Sequence, residues 1–101
     1  MPVTCSVQDR TLTISLAGEI DHHGAKGMIR ELDQQIDRNL PNQLILDLSG
    51  TTFMDSSGVA VVLRAWRRMG ELQGSVQVSG APPQANRVLR AAGVDRLISF
   101  T

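Results

Sequence analysis

The feature that most constrains the fold is a short, almost uninterrupted apolar run at residues 44–48, with the sequence LILDL. A run of this length is typical of a strand that is covered on at least one face and lies centrally in its sheet. Apolar residues at helical spacing flank it on both sides, over residues 25–36 and 59–69. Because parallel strands are joined by crossover helices, this pattern predicts an α/β fold.

Further periodicities complete the predicted order of elements. Residues 3–7 and 12–16 alternate apolar with polar side chains and predict an antiparallel hairpin, in which Cys5 is a small core residue. The first helix should end before Pro41, and a third helix should open at Pro82 and Pro83. With strands at 75–79 and at 97–98, the predicted order is β, β, α, β, α, β, α, β in one domain of residues 1–101.

Composition argues against several classes of function. Ten Lys and Arg balance ten Asp and Glu, and aromatic residues make up only 3%, so neither a basic surface nor a stacking platform for nucleic acid is expected. The single cysteine fits a reducing, cytoplasmic setting. No segment has the pattern of an export signal or a membrane span, and no membrane contact is expected.

The second helix pattern separates apolar from basic residues. We expect its buried stripe to consist of Val59, Val62, Leu63, Trp66 and Met69. Outside that stripe lies a local basic cluster, formed by Arg64, Arg67 and Arg68. Such a cluster is either a solvated helix face or a contact for an acidic patch on a partner.

The polar run DSSG at residues 55–58 directly precedes this helix pattern. Either Asp55 or Ser56 is suited to cap the helix, since short oxygen-bearing side chains accept hydrogen bonds from its first free amides. A serine at this place is also exposed, and a phosphate on it would meet unpaired amides and the positive end of the helix dipole. The run therefore allows two interpretations, a structural cap and a modification site.

Three short motifs resemble a known family when they are taken together. They are Gly-Glu-Ile-Asp-His-His at 18–23, Leu-Asp-Leu at 46–48 and Phe-Met-Asp-Ser-Ser-Gly at 53–58. The chain is similar to the STAS domain of bacterial anti-sigma factor antagonists, above all those of the sporulation type, over about residues 3–100. The resemblance implies a STAS fold, with a mostly parallel, mixed sheet and helices packed on one side.

The resemblance also implies a function and its site. Ser56 would be the phosphorylated residue, and the unphosphorylated chain would bind an anti-sigma factor that is also a serine kinase, freeing the sigma factor. A phosphatase of the PP2C type would remove the phosphate. Asp55 would help to place the Ser56 hydroxyl, and the partner surface would comprise Asp21, His22, His23, Asp55, Ser56, Ser57 and Gly58. The chain is then a ligand and a substrate rather than an enzyme, and it needs no cofactor.

Other hypotheses use the same residues. A constitutive STAS adaptor, as in lipid-transport or stressosome assemblies, would use this surface without a regulatory phosphate. Asp55, Ser56 and a histidine are the residue types of a nucleophilic triad, but the sequence has no Gly-x-Ser-x-Gly elbow. It also has no P-loop for direct nucleotide binding. Because the adjacent His22 and His23 face apart on any regular element, we predict no metal site.

The sequence departs from the sporulation type at its end. Those antagonists usually continue into a further helix, whereas this sequence stops at Ser99, Phe100 and Thr101. Either the chain is truncated or this member is naturally short. If it is truncated, we expect an apolar strip along the final strand to be uncovered, which would allow dimerisation or aggregation.

Overall fold

The computed structural model describes residues 3–101. Within this range seven strands and three helices follow one another, with a single 3-10 turn at Val94–Arg96 before the last strand. In chain order they are β1 (Val3–Gln8), β2 (Thr11–Leu16), β3 (Gly18–Ile20), α1 (His22–Asn39), β4 (Gln43–Asp47), β5 (Thr51–Met54), α2 (Ser56–Glu71), β6 (Ser75–Ser79), α3 (Pro83–Ala91) and β7 (Ser99–Phe100).

Five of the strands form the main sheet, in the order β1-β2-β4-β6-β7. Only the first pair is antiparallel, and the other three pairs are parallel. Asp9 and Arg10 form the two-residue turn of the β1–β2 hairpin, both with positive φ, 52° and 63°. This is the turn geometry that matches the twist of a hairpin. The predicted hairpin, helices and parallel strands are thus confirmed.

The main sheet is covered on one side only. Alternate residues of the central strands, such as Ile14, Leu46 and Val78, are fully buried beneath the helices. The opposite face carries polar pairs, including a hydrogen bond of 3.2 Å from Ser15 Oγ to Asp47 Oδ2. The predicted mixed sheet with helices packed on one side is confirmed.

Two short strands were not predicted. The segments interpreted as a polar bend and a loop are β3 and β5, which pair in parallel in a separate two-stranded sheet. Each is only three or four residues long and includes polar side chains, so neither has a clear alternation. Their pairing joins residues more than thirty positions apart, with Ile20 opposite Met54. Such non-local pairing leaves no periodic signal in the sequence.

Two predictions of core residues, Cys5 and Trp66, are wrong. Cys5 is exposed, because β1 is the edge strand and only its first residue, Val3, packs against the core in the part of the chain that the structure describes. Trp66 is 42% exposed, because the buried stripe of α2 is rotated towards Val61 and Ala65. The last strand is Ser99–Phe100 rather than 97–98. Trp66 and the exposed Leu97 border a shallow cavity of mixed polar and apolar lining that extends to Ser99 in the last strand.

Candidate functional site

The site is built where the two strands of the small sheet end. β3 and β5 are parallel, so their carboxyl ends lie at one edge, and each strand leads directly into a helix. The amide of Asp55 donates to the carbonyl of Ile20 over 3.2 Å, which joins the two exits. This sheet therefore places the beginnings of α1 and α2 side by side, and we call residues 21–23 and 55–57 the paired helix starts.

An aspartate caps each helix of the pair. Asp21 Oδ1 accepts hydrogen bonds from the amides of His23 and Gly24, at 3.1 and 3.0 Å. The Gly24 amide, together with other hydrogen bonds, lowers the pKa of the Asp21 carboxyl. Asp55 Oδ1 accepts from the amide of Ser57 at 2.7 Å. Of the two candidate caps for α2, the structure therefore selects Asp55, and Ser56 is the first helical residue.

Ser56 is exposed at the first position of α2. Ser57 is half-buried and lines a shallow cavity of about 380 Å³ together with His22 and His23. The predicted partner residues of both helix starts are thus brought to one surface. Gly58, the remaining predicted partner residue, is buried.

The buried Gly58 fits against Met54, the last residue of β5. A Cβ atom at position 58 would lie 2.3 Å from Met54 Cγ and 2.8 Å from its Sδ, so no larger residue fits without displacement. Met54 is itself fully buried. This contact accounts for a methionine and a glycine in the Phe-Met-Asp-Ser-Ser-Gly motif, because the first turn of α2 can approach β5 only where a side chain is missing.

Gln84, on α3, is a residue of the site that the sequence did not indicate. Its side-chain amide accepts from the Met54 amide at 2.8 Å and donates to the Met54 carbonyl at 2.7 Å. Gln84 thus takes the place of a neighbouring strand on the free edge of β5, immediately before Asp55. A glutamine in the first turn of a helix carries no local signal for such a contact.

An ion-pair cluster joins α1 to α2 farther along both helices. Arg64 binds Asp33 with two hydrogen bonds, at 3.1 and 2.9 Å, and Arg68 reaches Asp33 at 2.8 Å and also Asp37. Desolvation raises the pKa of Asp33, but the hydrogen bonds from both guanidinium groups outweigh it and hold the pKa below its ordinary value. Within residues 3–101 only Arg67 of the predicted basic cluster forms no ion pair. The cluster is therefore mainly an interhelical tie.

The arrangement does not resemble a catalytic triad. In the part of the chain that the structure describes, neither His22 nor His23 forms a hydrogen bond with Asp55 or Ser56, and Asp55 is occupied by the Ser57 amide. The described residues contain no group of three or more His, Cys, Asp or Glu side chains that could hold a metal ion. Among residues 3–101, no helix combines the length and apolar character that crossing a membrane requires.

Comparisons with known proteins agree with this geometry. The family model described as "Mlab, STAS domain" matches residues 3–99. An anti-sigma F factor antagonist of Paenibacillus polymyxa is 30% identical over 86% of this chain and 74% of its own. The structure of the anti-sigma factor antagonist SpoIIAA in its unphosphorylated form is 25% identical, with a TM-score of 0.83 over 98% of this chain and 87% of that one.

A second solved structure shows a related protein in its modified state. It is the Bacillus cell fate determinant SpoIIAA in the phosphorylated form, 25% identical, with a TM-score of 0.75 over 98% of this chain and 90% of that one. Family model, curated relative and solved structures all span most of the sequence. The chain therefore belongs to the STAS domain family, and over most of its length it is similar to anti-sigma factor antagonists.

Proposed function

We propose that this chain is an anti-sigma factor antagonist controlled by phosphorylation of Ser56. In its unphosphorylated form it binds an anti-sigma factor kinase and frees the sigma factor, and so regulates transcription, with sporulation as the process that the sequence resemblance implies. The observation that carries the proposal is the exposed Ser56 at the start of α2, directly after the capping Asp55. A PP2C-type phosphatase would restore the active form. Because the kinase needs ATP, we place the switch in the cytoplasm.

The position of Ser56 favours a change of binding rather than a change of fold. A phosphate on this exposed first residue would lie at the positive end of the α2 dipole, where negative charge is tolerated. It would add about 1.5 to 2 negative charges to a chain whose formal net charge is zero. Facing a partner, these charges would have to lose water or meet acidic groups, at a cost of about 3 kcal/mol, or roughly a hundredfold in affinity.

Asp55 is proposed as a positioning residue. Its carboxylate holds the Ser57 amide at 2.7 Å and thereby fixes the first turn on which the Ser56 hydroxyl is presented. The kinase would supply the catalytic base, so the chain would act as substrate and ligand, without a cofactor and without enzymatic activity of its own. The partner surface would comprise the paired helix starts, with Gly58 beneath them.

The direct test is a binding titration with the purified anti-sigma factor kinase of the source organism. Three forms are compared: the unmodified chain, the chain with phosphoserine incorporated at position 56, and a control with phosphoserine at position 57. We expect the phosphate at 56 to weaken binding about a hundredfold. Equal affinity of the unmodified and 56-phosphorylated forms would contradict the switch. The control with phosphoserine at position 57 shows whether the loss of kinase affinity requires the phosphate to be on Ser56.

A second candidate function is a constitutive STAS adaptor. The observation that favours it is the matching family model, which is described by the name Mlab. An adaptor would use the same surface in one permanent state, so its complex would keep its affinity when Ser56 is phosphorylated. Ser56 would then serve only as the first residue of α2, and the titration above separates the two candidates.

A further inference from the structure

A groove runs between α1 and α2, away from the paired helix starts. Two neighbouring cavities, of about 380 and 330 Å³, form it. Ile29 and Ala60 line both cavities, so the two lie side by side. We call this the interhelical groove, and its lining residues are His22, His23, Ala25, Lys26, Ile29, Ser57, Ala60, Leu63, Arg64 and Arg67.

The groove has an apolar floor and basic rims. Ile29 and Leu63 are partly buried and pack against the core beside Ala60. Lys26 on α1 and Arg67 on α2 are exposed on the two sides, and within residues 3–101 neither forms an ion pair. Among the described residues, no carboxylate lines either cavity. At one end lie the N-termini of both helices, whose partial positive charges are offset by the capping carboxylates of Asp21 and Asp55.

The interhelical ion pairs compensate the charge of an acidic side chain at the far end of the groove. Asp33, which follows the groove on α1, is held by Arg64 and Arg68, so its negative charge is compensated. The same pairs tie α1 to α2 at the end of the groove remote from Ser56. The groove therefore has basic rims and an apolar floor. Its two flanking helices are held together at one end by the pairing of β3 with β5 and at the other end by the ion pairs.

We propose that the interhelical groove binds an acidic, amphipathic segment of the partner protein. Apolar side chains of that segment would contact Ile29 and Leu63, and its carboxylates would meet Lys26 and Arg67. The occupant follows from charge complementarity and from continuity with the predicted partner surface, since Ser57 lines the groove. The inference rests on the proposed function. It also gives the switch a physical cause, because a phosphate on the neighbouring Ser56 would repel an acidic segment without any change of fold.

The test is a titration of the ¹⁵N-labelled full chain, followed by amide chemical shifts. The probe is a synthetic helical peptide of about fourteen residues, roughly four turns, with leucines on one face and glutamates on the rest. The control peptide has lysine at every position where the acidic peptide has glutamate. We expect the acidic peptide to shift the amides of Ile29, Ala60 and Leu63, and the basic peptide to leave them unchanged.

Charge reversal tests the rims. The double variant Lys26→Glu, Arg67→Glu should bind the acidic peptide at least about tenfold more weakly. The matched control is Arg87→Glu on α3, which replaces an exposed arginine outside the groove and should leave the affinity unchanged. Unchanged affinity in the double variant would overturn the proposal. So would equal shifts from both peptides, and so would groove shifts produced by protein concentration alone, which would identify a second copy as the occupant.

The outcomes separate this inference from the proposed function. If phosphoserine at position 56 releases the kinase while the acidic peptide leaves the groove amides unmoved, the switch stands and the groove proposal fails. If the peptide binds the groove but phosphoserine at 56 leaves kinase affinity unchanged, the proposed function fails instead.

Discussion

At the start of α1 and at the start of α2, an aspartate follows a parallel strand, caps the helix and is followed three residues later by a glycine. The surroundings of the two starts differ. An added Cβ at Gly24 would meet its nearest atom at 3.6 Å, whereas one at Gly58 would lie 2.3 Å from Met54. Gln84 braces only the second start, through Met54.

The two starts share the aspartate cap but not the proposed modification site. Both starts have an aspartate cap, so the cap alone does not distinguish them. Only the second start presents a hydroxyl directly after the cap, at Ser56, and only this one is fixed from below by Gly58 and from the side by Gln84. A fixed backbone beneath an exposed hydroxyl reduces the conformational freedom that a kinase would have to remove in order to position that hydroxyl.

The largest expected effect is a difference in stability between alanine substitutions at the two glycines, Gly58 and Gly24. Gly58→Ala should lower the free energy of unfolding by about 3 kcal/mol, because the new methyl group overlaps the buried Met54 side chain. Gly24→Ala, at the equivalent position of α1, meets only ordinary contacts and should be neutral or stabilising by up to about 1 kcal/mol. Urea denaturation measures both. Equal effects would show that the two starts are built alike after all.

Removal of the brace should have the next largest effect. Gln84→Ala leaves the amide and carbonyl of Met54 without their partners and should cost about 2 kcal/mol of stability. Hydrogen exchange should accelerate at the Met54 amide and stay unchanged at the amides of His23 and Gly24. The control is Gln34→Ala, an exposed glutamine on α1. Equal acceleration at both helix starts would show that Gln84 stabilises the whole domain rather than one start.

The caps should differ in function more than in stability. Asp21→Ala and Asp55→Ala should each cost about 1 kcal/mol, through the amides that lose their acceptor. Asp55→Ala should slow phosphorylation of Ser56 by the kinase more than Asp21→Ala does, because only Asp55 fixes the turn that carries the serine, and Asp55→Asn should restore the stability. Normal phosphorylation kinetics in a folded Asp55→Ala variant would reject the positioning role.

The smallest expected effect concerns Asp33, whose ion pairs join α1 to α2 and make the stability depend on pH. Because the pKa of Asp33 is lowered in the folded protein, its contribution is present above the unfolded value of about 3.9 and is lost as the pH falls through the lower, folded value. Asp33→Asn should therefore cost about 1 kcal/mol at pH 6 and less below about pH 4. Asp9→Asn, in the exposed hairpin turn, is the control. Urea midpoints at both pH values check this, and an undiminished cost in acid would contradict it.

The main sheet and the helices could be predicted because their signals are local. The alternation along β2 and the helical spacing of Met28, Leu32 and Ile36 each lie within one element, and the structure buries these residues as predicted. The paired helix starts could be named from motifs alone. The structure adds that Asp55, and not Ser56, is the cap.

What escaped prediction depends on contacts between distant residues. β3 pairs with β5, Gln84 with Met54, and Asp33 with Arg64, and each contact joins positions about thirty residues apart. None leaves a periodic trace in a single sequence. Trp66 was misplaced for a related reason, since helical spacing fixes a stripe only to within about one residue of rotation and packing against neighbours decides the rest.

The central claim is that Ser56 is the residue that receives the regulatory phosphate. In the most direct measurement, the purified chain is incubated with ATP and a lysate of its source cells, and phosphate is mapped by peptide mass spectrometry. The Ser56→Ala and Ser57→Ala variants are treated in the same way. We predict phosphate on Ser56 in the unmodified chain and in Ser57→Ala, and none in Ser56→Ala. Phosphate on another residue, or none on a folded chain in an active lysate, would contradict the switch.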